Sequence, residues 1–278
     1  MIMSIVVLEI LICIYDIIKI RPEGILLQQK SRKHKNVMNA TYLSIVIPCY
    51  NEEKRIGPTL QAIAAYLSKQ PYTSEVIVVD NGSRDNTKEV VESYKKYFSN
   101  LNLIERRSHG KGYAVREGML KACGEWRLFT DADNSTDISQ VADLLKFIDE
   151  GYDVIISSRK APGATILNPQ PWYRVILGNI FQGIVGLIVP VGVKDTQNGF
   201  KLFSKEATEK IFPHQVVFYW AFDVEVLALA RRFGFKIKEV PIVWHNDDRS
   251  TMSLKGMVRM LAEVTLTRLY LITRMYEK

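Results

Sequence analysis

The feature that most constrains this chain is an alternation that begins near residue 41. Short β-branched runs at 43–48, 75–80, 101–105, 126–131 and 153–158 are separated by longer stretches of helical period at 52–69, 85–98, 111–122 and 138–149. Strands joined through helices return parallel, with right-handed crossovers, so the pattern predicts an α/β domain over 41–250: a mostly parallel sheet covered by helices. Ligands of such sheets bind beyond the carboxyl ends of the strands. The residues at those ends are therefore the first functional question.

The first run ends in Pro48, Cys49, Tyr50, Asn51 and Glu52; the second in Asp80, then Asn81, Gly82, Ser83 and Asp85; the fourth in Asp131, Ala132 and Asp133. Three strand ends thus offer acidic and turn-forming groups to one crevice. Asp85 reads as a helix cap. An Asp-x-Asp at a strand end aims two carboxylates at a hard cation that also holds phosphates. Other nucleotide sites fail on sequence. The third position of a GxGxxG starting at Gly110 is Val115, and a P-loop would need glycine where Glu105 stands. What remains is Lys111 between two glycines at a helix start, suited to a phosphate through ammonium and dipole, or simply a solvated first-turn residue. Cys13, Cys49 and Cys123 form no CxxC pair, and His34, His109, His214 and His245 show no zinc spacing, so neither a disulfide framework nor a zinc site is expected.

The net charge of +7 raises the question of nucleic acid. Its placement argues otherwise, because residues 36–248 carry 25 basic and 25 acidic groups and the surplus lies at the ends. Residues 1–20 are almost wholly apolar and about long enough to span a bilayer, with the acidic Glu9 and Asp16 inside the stretch, so a spanning anchor is expected there, with an interfacial or a buried helix as the alternatives. The basic cluster of Lys19, Arg21, Lys30, Arg32, Lys33 and Lys35, most of it in a linker over 21–40, places the rest on the cytoplasmic side by the positive-inside rule, which means the endoplasmic reticulum in a eukaryote or the cell membrane in a prokaryote. A second uncharged stretch, 175–193, holds four glycines and Pro190 and reads as a core helix or a membrane-proximal interfacial element. Residues 251–278 are expected to form an amphipathic helix with Leu254, Val258, Leu261, Leu269, Ile272 and Tyr276 on one stripe.

Four segments, IVIPCYNEE at 45–53, VIVVDNGSRDNT at 76–87, HGKGYAVREGM at 109–119 and DADNST at 131–136, resemble in order and spacing the inverting family 2 glycosyltransferases, whose nucleotide-sugar fold is called GT-A. KDTQNGFKLF at 194–203 and WAFDVEVLALARR at 220–232 are similar to the polyprenyl-phosphate hexosyltransferase branch, in particular the dolichyl-phosphate β-glucosyltransferases. The resemblance implies that Pro48, Tyr50, Glu52, Asp80 and Ala132 line a uridine pocket flanked by Lys111. It further implies that Asp131 approaches the ribose or sugar, and that Asp131 and Asp133 hold Mg²⁺ or Mn²⁺ on the diphosphate, Asp133 acting in catalysis. Asn81 departs from the second Asp of many relatives. Ser135 stands where some mannosyl relatives supply a further metal ligand.

A polyprenyl phosphate acceptor is an anion on a membrane chain, so its site should pair basic side chains with apolar surface; Arg159, Arg174, Lys201 and Arg249 are the candidates. Asp195 is the first choice for positioning acceptor or sugar, and Asp223 and Glu225 are candidates for a base, although a phosphate acceptor is already largely ionised near pH 7. The expected function is metal-dependent transfer of a hexose, glucose from UDP-glucose being favoured, to a polyprenyl or dolichyl phosphate. The rivals are a GDP-mannose enzyme on the same lipid and a non-catalytic membrane adaptor with the same fold. A polysaccharide synthase is disfavoured by the lack of a QxxRW motif.

Overall fold

A computed structural model describes residues 40–106, 110–246 and 254–277. The anchor and most of the basic segment expected over 1–40, with Arg249, lie outside the described residues. The chain runs β1 (Leu43–Cys49), α1 (Ile56–Leu67), β2 (Ser74–Asp80), α2 (Thr87–Tyr94), β3 (Leu101–Glu105), α3 (Lys111–Lys121), β4 (Trp126–Thr130), α4 (Val141–Leu145) and β5 (Val154–Ser158). There follow β6 (Thr165–Leu167), α5 (Trp172–Ile188), β7 (Phe200–Ser204), α6 (Lys205–Ile211), α7 (Phe222–Arg232), β8 (Ile237–Pro241), β9 (Val243–His245) and α8 (Leu254–Ile272).

Seven strands form one sheet in the order β3-β2-β1-β4-β7-β5-β8, and β6 and β9 pair in a separate parallel ribbon. All neighbours in the large sheet are parallel except β7, which runs antiparallel to both β4 and β5. The expected α/β sheet is therefore present, with one antiparallel strand that the alternation alone did not predict. Its central strands are covered on both faces, and successive residues serve opposite layers. Ile45, Ile47, Val76 and Val78 pack with Ile56, Leu60 and Val141 on one side, while Val46, Ile77, Val79 and Phe129 pack with Val115, Phe222 and Val264 on the other. Each such side chain contributes roughly 1.5–3 kcal/mol by leaving water.

Several expected boundaries move. The first helix starts at Ile56 rather than 52, because residues 51–53 are bonded to the loop after β2. The helix expected over 138–149 is confined to Val141–Leu145. Beyond it the chain closes tighter turns, with Phe147 N–H on the Leu144 carbonyl and Ile148 N–H on the Leu145 carbonyl, as Phe147 and Ile148 turn toward the core.

The uncharged stretch forms α5, which is a surface helix and not a core one. Only Phe181 and Val185 are buried, while Ile176, Leu177, Ile180 and Ile184 are exposed, and Trp172 and Leu187 are 75% and 85% exposed. It lies against α8. Among the described residues no helix is long and apolar enough to cross a membrane. The stripe expected on the C-terminal helix is also corrected. Met260, Glu263, Val264 and Thr267 face inward, whereas Leu269 and Ile272 are exposed, because the buried face carries a glutamate that apolar periodicity cannot register.

Candidate active site

The ends of β2, β1 and β4 lie side by side, with Cys49 opposite Asp80 in register. The loops that leave β1 and β2 are laced together. Asn51, at φ 56°, donates its N–H to Ser83 Oγ (2.9 Å) and accepts the Arg84 N–H on Oδ1 (2.9 Å). Glu52 N–H reaches Thr87 Oγ1 at 2.7 Å, and Glu53 N–H reaches Asp85 Oδ2 at 3.1 Å. Asp85 also accepts the N–H of Thr87, the first residue of α2. Asp80 is buried and accepts both the N–H and the hydroxyl of Ser83, so it fixes the turn below the cleft instead of lining it.

Above these loops opens a cleft of about 840 Å³, lined by Pro48, Tyr50, Glu52, Asn81, Lys111 and Ala132 among others. Burial pushes the Glu52 carboxyl above its ordinary range despite the neighbouring Arg55. Gly110 and Gly112 have a different role from the one their spacing advertises. A Cβ on Gly110, at φ 108°, would stand 2.0 Å from the Phe218 carbonyl oxygen, and one on Gly112 would stand 2.5 Å from Phe222 Cβ. The glycines are thus there for close packing, and the Gly112 N–H is already given to the Phe218 carbonyl at 2.8 Å. Lys111 between them still enters the cleft and pairs with Asp131. Burial opposes its charge, but the carboxylates of Asp131, Asp223 and Asp133 outweigh that and hold its pKa above the usual lysine value.

Asp131 and Asp133 stand where this cleft meets a second pocket of about 240 Å³. A Cβ on Gly199 would lie 2.1 Å from Asp131 Oδ2, so the carboxylate fills the space that glycine leaves. Asp133 Oδ1 accepts the Ser135 N–H at 2.9 Å. Among the described residues no group of three or more His, Cys, Asp and Glu side chains is placed to hold a metal. Two hard carboxylates, one already facing the Lys111 cation, fit a divalent ion whose remaining ligands come from phosphate oxygens.

The second pocket is headed by Arg159, after β5. Its Nε and Nη2 hold the two oxygens of Asp195 at 2.7 and 2.8 Å, and its guanidinium lies 5.2 Å from the Trp244 ring centre. Asp195 is fully buried and does not line the pocket, so it acts through Arg159. Burial works against its charge, yet the Arg159 fork holds its carboxyl below the usual range.

Three other candidates are corrected. Lys201 is fully buried on β7, committed to Asp223 and the Asn198 carbonyl, and offers nothing to an acceptor phosphate. Burial draws its ammonium down and the Asp223 carboxyl up, each partly offset by the other's charge. Asp223 does line the second pocket; Glu225 faces away, wholly buried behind it, where it bonds the N–H groups of Val216 and Val217. Arg174 is exposed on α5 and lines neither pocket. Sequence reasoning missed Gly199, Trp220, Trp244 and Met260. Gly199 and Trp220 sat in quoted motifs without a role, and Trp244 and Met260 reach the site from distant elements, which no local spacing signals.

A nucleotide-sized cleft on the carboxyl edge of a mostly parallel sheet, closing on an Asp-x-Asp pair, defines the class. A family model described as "Glycosyl transferase family 2" matches residues 44–212, and the chain belongs to that family and is a glycosyltransferase. Its relatives narrow this further. It is 36% identical over 241 residues to a dolichyl-phosphate beta-glucosyltransferase of Trichomonas vaginalis, covering 82% of this chain and 71% of that one. It is 34% identical over 256 residues to the Saccharomyces cerevisiae enzyme of that name (84% and 76% covered). The human one is 36% identical over 218 residues (73% and 67%). Among solved structures, glucosyl-3-phosphoglycerate synthase from Mycobacterium tuberculosis with Mn²⁺ and UDP-glucose is similar at a TM-score of 0.62, with 20% identity, covering 82% of this chain and 79% of that one. That last likeness is one of fold.

Proposed function

We propose that this protein transfers glucose from UDP-glucose to a dolichyl or related polyprenyl phosphate, with inversion to the β-linked product, at a membrane surface. The observation that carries this reading is the meeting of Asp131, Asp133 and Lys111 at the junction of a nucleotide-sized cleft with a smaller pocket headed by Arg159. The names of the relatives support the sugar and the lipid. The exposed apolar helix α5 supports a membrane, since a patch of this kind on a soluble surface marks an interaction site.

In this reading the uridine lies among Pro48, Tyr50, Glu52 and the turn held by Asp80, and Lys111 meets the diphosphate. Asp131 and Asp133 would hold Mg²⁺ or Mn²⁺, which supplies neutralisation of the charge that develops on the leaving diphosphate. Asp195 grips the Nε side of Arg159 and leaves the opposite guanidinium edge for the acceptor phosphate. A phosphate oxygen attacks the anomeric carbon from the face opposite the nucleotide; the new C–O bond forms as the bond to the diphosphate breaks, and the electron pair leaves with UDP. The attacking oxygen is already ionised, so no side chain need take a proton. The basic cluster after residue 18 supports a cytoplasmic active site.

The test supplies the full chain in vesicles containing dolichyl phosphate with Mn²⁺ or Mg²⁺ and labelled UDP-glucose or GDP-mannose. Label from UDP-glucose in the lipid extract is expected; label only from GDP-mannose, or none, overturns the donor or the acceptor assignment. Asp133→Ala should lower transfer on the order of 10²–10³-fold while leaving the melting temperature within a few degrees.

A further inference from the structure

Residues 215–221 have no regular structure, yet they wall both pockets through Trp220 and the larger one also through Tyr219. The backbone N–H groups of such a strap need partners outside helix and sheet. Two buried carboxylates behind it supply them. Glu225 of α7 accepts Val216 N–H at 3.0 Å, Val217 N–H at 2.9 Å and the Tyr276 hydroxyl at 2.7 Å. Glu263 of α8 accepts the N–H groups of Trp220 and Ala221, both at 3.0 Å. On its other side the strap meets the start of α3, where the Phe218 carbonyl accepts Gly112 N–H and the Gln215 amide donates to the Gly112 carbonyl at 3.0 Å. Helix α8 contributes more than Glu263. The Arg259 guanidinium stands 3.4 Å from the centre of the Tyr219 ring, and Met260 lines the smaller pocket.

We infer that Glu263 is a positioning residue of the donor site: by holding the N–H groups of Trp220 and Ala221, it sets where the Trp220 and Tyr219 rings stand against the bound nucleotide-sugar. The bland alternative is a fastener that docks α8 on the body. Two observations favour positioning. One of the N–H groups belongs to a pocket-lining residue and the other to its neighbour, and Arg259, one turn before Glu263, covers the ring of the preceding wall residue. A fastener needs neither. Because the strap also contacts the backbone of Gly112, displacing it shifts the corner that presents Lys111. The inference rests on the nucleotide-sugar reading of the cleft.

The experiment measures binding of UDP and of GDP, each with Mn²⁺, by calorimetry, and KM and kcat for the sugar donor, on the full chain and on Glu263→Gln and Glu263→Ala. Glu263→Ala should weaken nucleotide binding and raise donor KM roughly tenfold, and Glu263→Gln, which keeps a carbonyl acceptor at the same reach, should restore most of the loss. If Glu263→Ala does not fold, Glu263→Asp, which draws the carboxylate back by one methylene, takes its place with the same expectation. Nucleotide affinity equal to that of the parent in a folded variant overturns the inference alone. A parent chain that binds neither nucleotide overturns the donor reading and this inference with it.

Discussion

At the scale of single residues, the site depends on groups that do not touch substrate. Gly199 is one: its missing side chain is the space in which the Asp131 carboxylate stands. Gly199→Ala should displace that carboxylate and cut metal-dependent transfer on the order of 10²-fold, while overpacking costs only about 1–3 kcal/mol of stability. Parallel assays of transfer and thermal melting check this, and unaltered transfer would remove Asp131 from the reaction. Residue-scale chemistry was legible where it sits at the end of a strand. Asp131 and Asp133 could be picked out because a strand end followed by Asp-x-Asp has few structural excuses. Lys201 shows the opposite case: it reads as one more basic side chain in a motif, and only the antiparallel placement of its strand shows that it is sealed against Asp223. Asp223 and Glu225, two positions apart on one helix, diverge as that spacing requires, and Asp223 is the one of the two that lines the pocket.

At the scale of elements, α5 is apolar around most of its circumference and packs inward through Phe181, Val185 and the partly buried Ile188. Replacing Leu177 and Leu187 by serine removes two exposed side chains and should change folding stability by no more than about 0.5 kcal/mol per position. The same pair should weaken partition onto lipid vesicles on the order of tenfold or more, measured by co-sedimentation, because each leucine withdrawn from the interface forfeits apolar burial. Equal sedimentation would take α5 off the membrane. The strands and helices up to residue 158 were legible from their period, because the central strands are short and buried on two faces, the helices bury one face, and polar turns separate them. After 158 the helical segments near 175–193 and 251–278 were legible, and the strands were not. β7 and β8 owe their places to pairing with strands far away in sequence, and the inward face of α8 carries Glu263 where an apolar stripe would be sought.

At the scale of the whole molecule, Glu225 and Glu263 bring two carboxylates from different helices into one buried layer, and burial pushes each up to about 7. A carboxyl raised in the folded state contributes stability that is fully present below its unfolded pKa of 4.5 and is lost as the pH rises through 7. Chemical denaturation at pH 5 and pH 8 should therefore show the parent losing about 2–3 kcal/mol relative to Glu225→Gln, which has no charge to bury; parallel pH curves would contradict this. The Tyr276 hydroxyl and the Glu263 carboxyl face the same group, and Glu263 keeps a titration of its own in the Glu225→Gln protein. A different consequence follows from β7. It is the one strand through which β5 and β8 join the sheet, so the half bearing Arg159 has no sheet edge to grow on until residues 200–204 are in place. The half formed by β3, β2, β1 and β4 has no such dependence. A refolding chain should thus assemble the side of the cleft lined by Pro48, Tyr50 and Glu52 first, and the Arg159 side must wait for a strand that arrives from beyond α5 and enters against the direction of its neighbours.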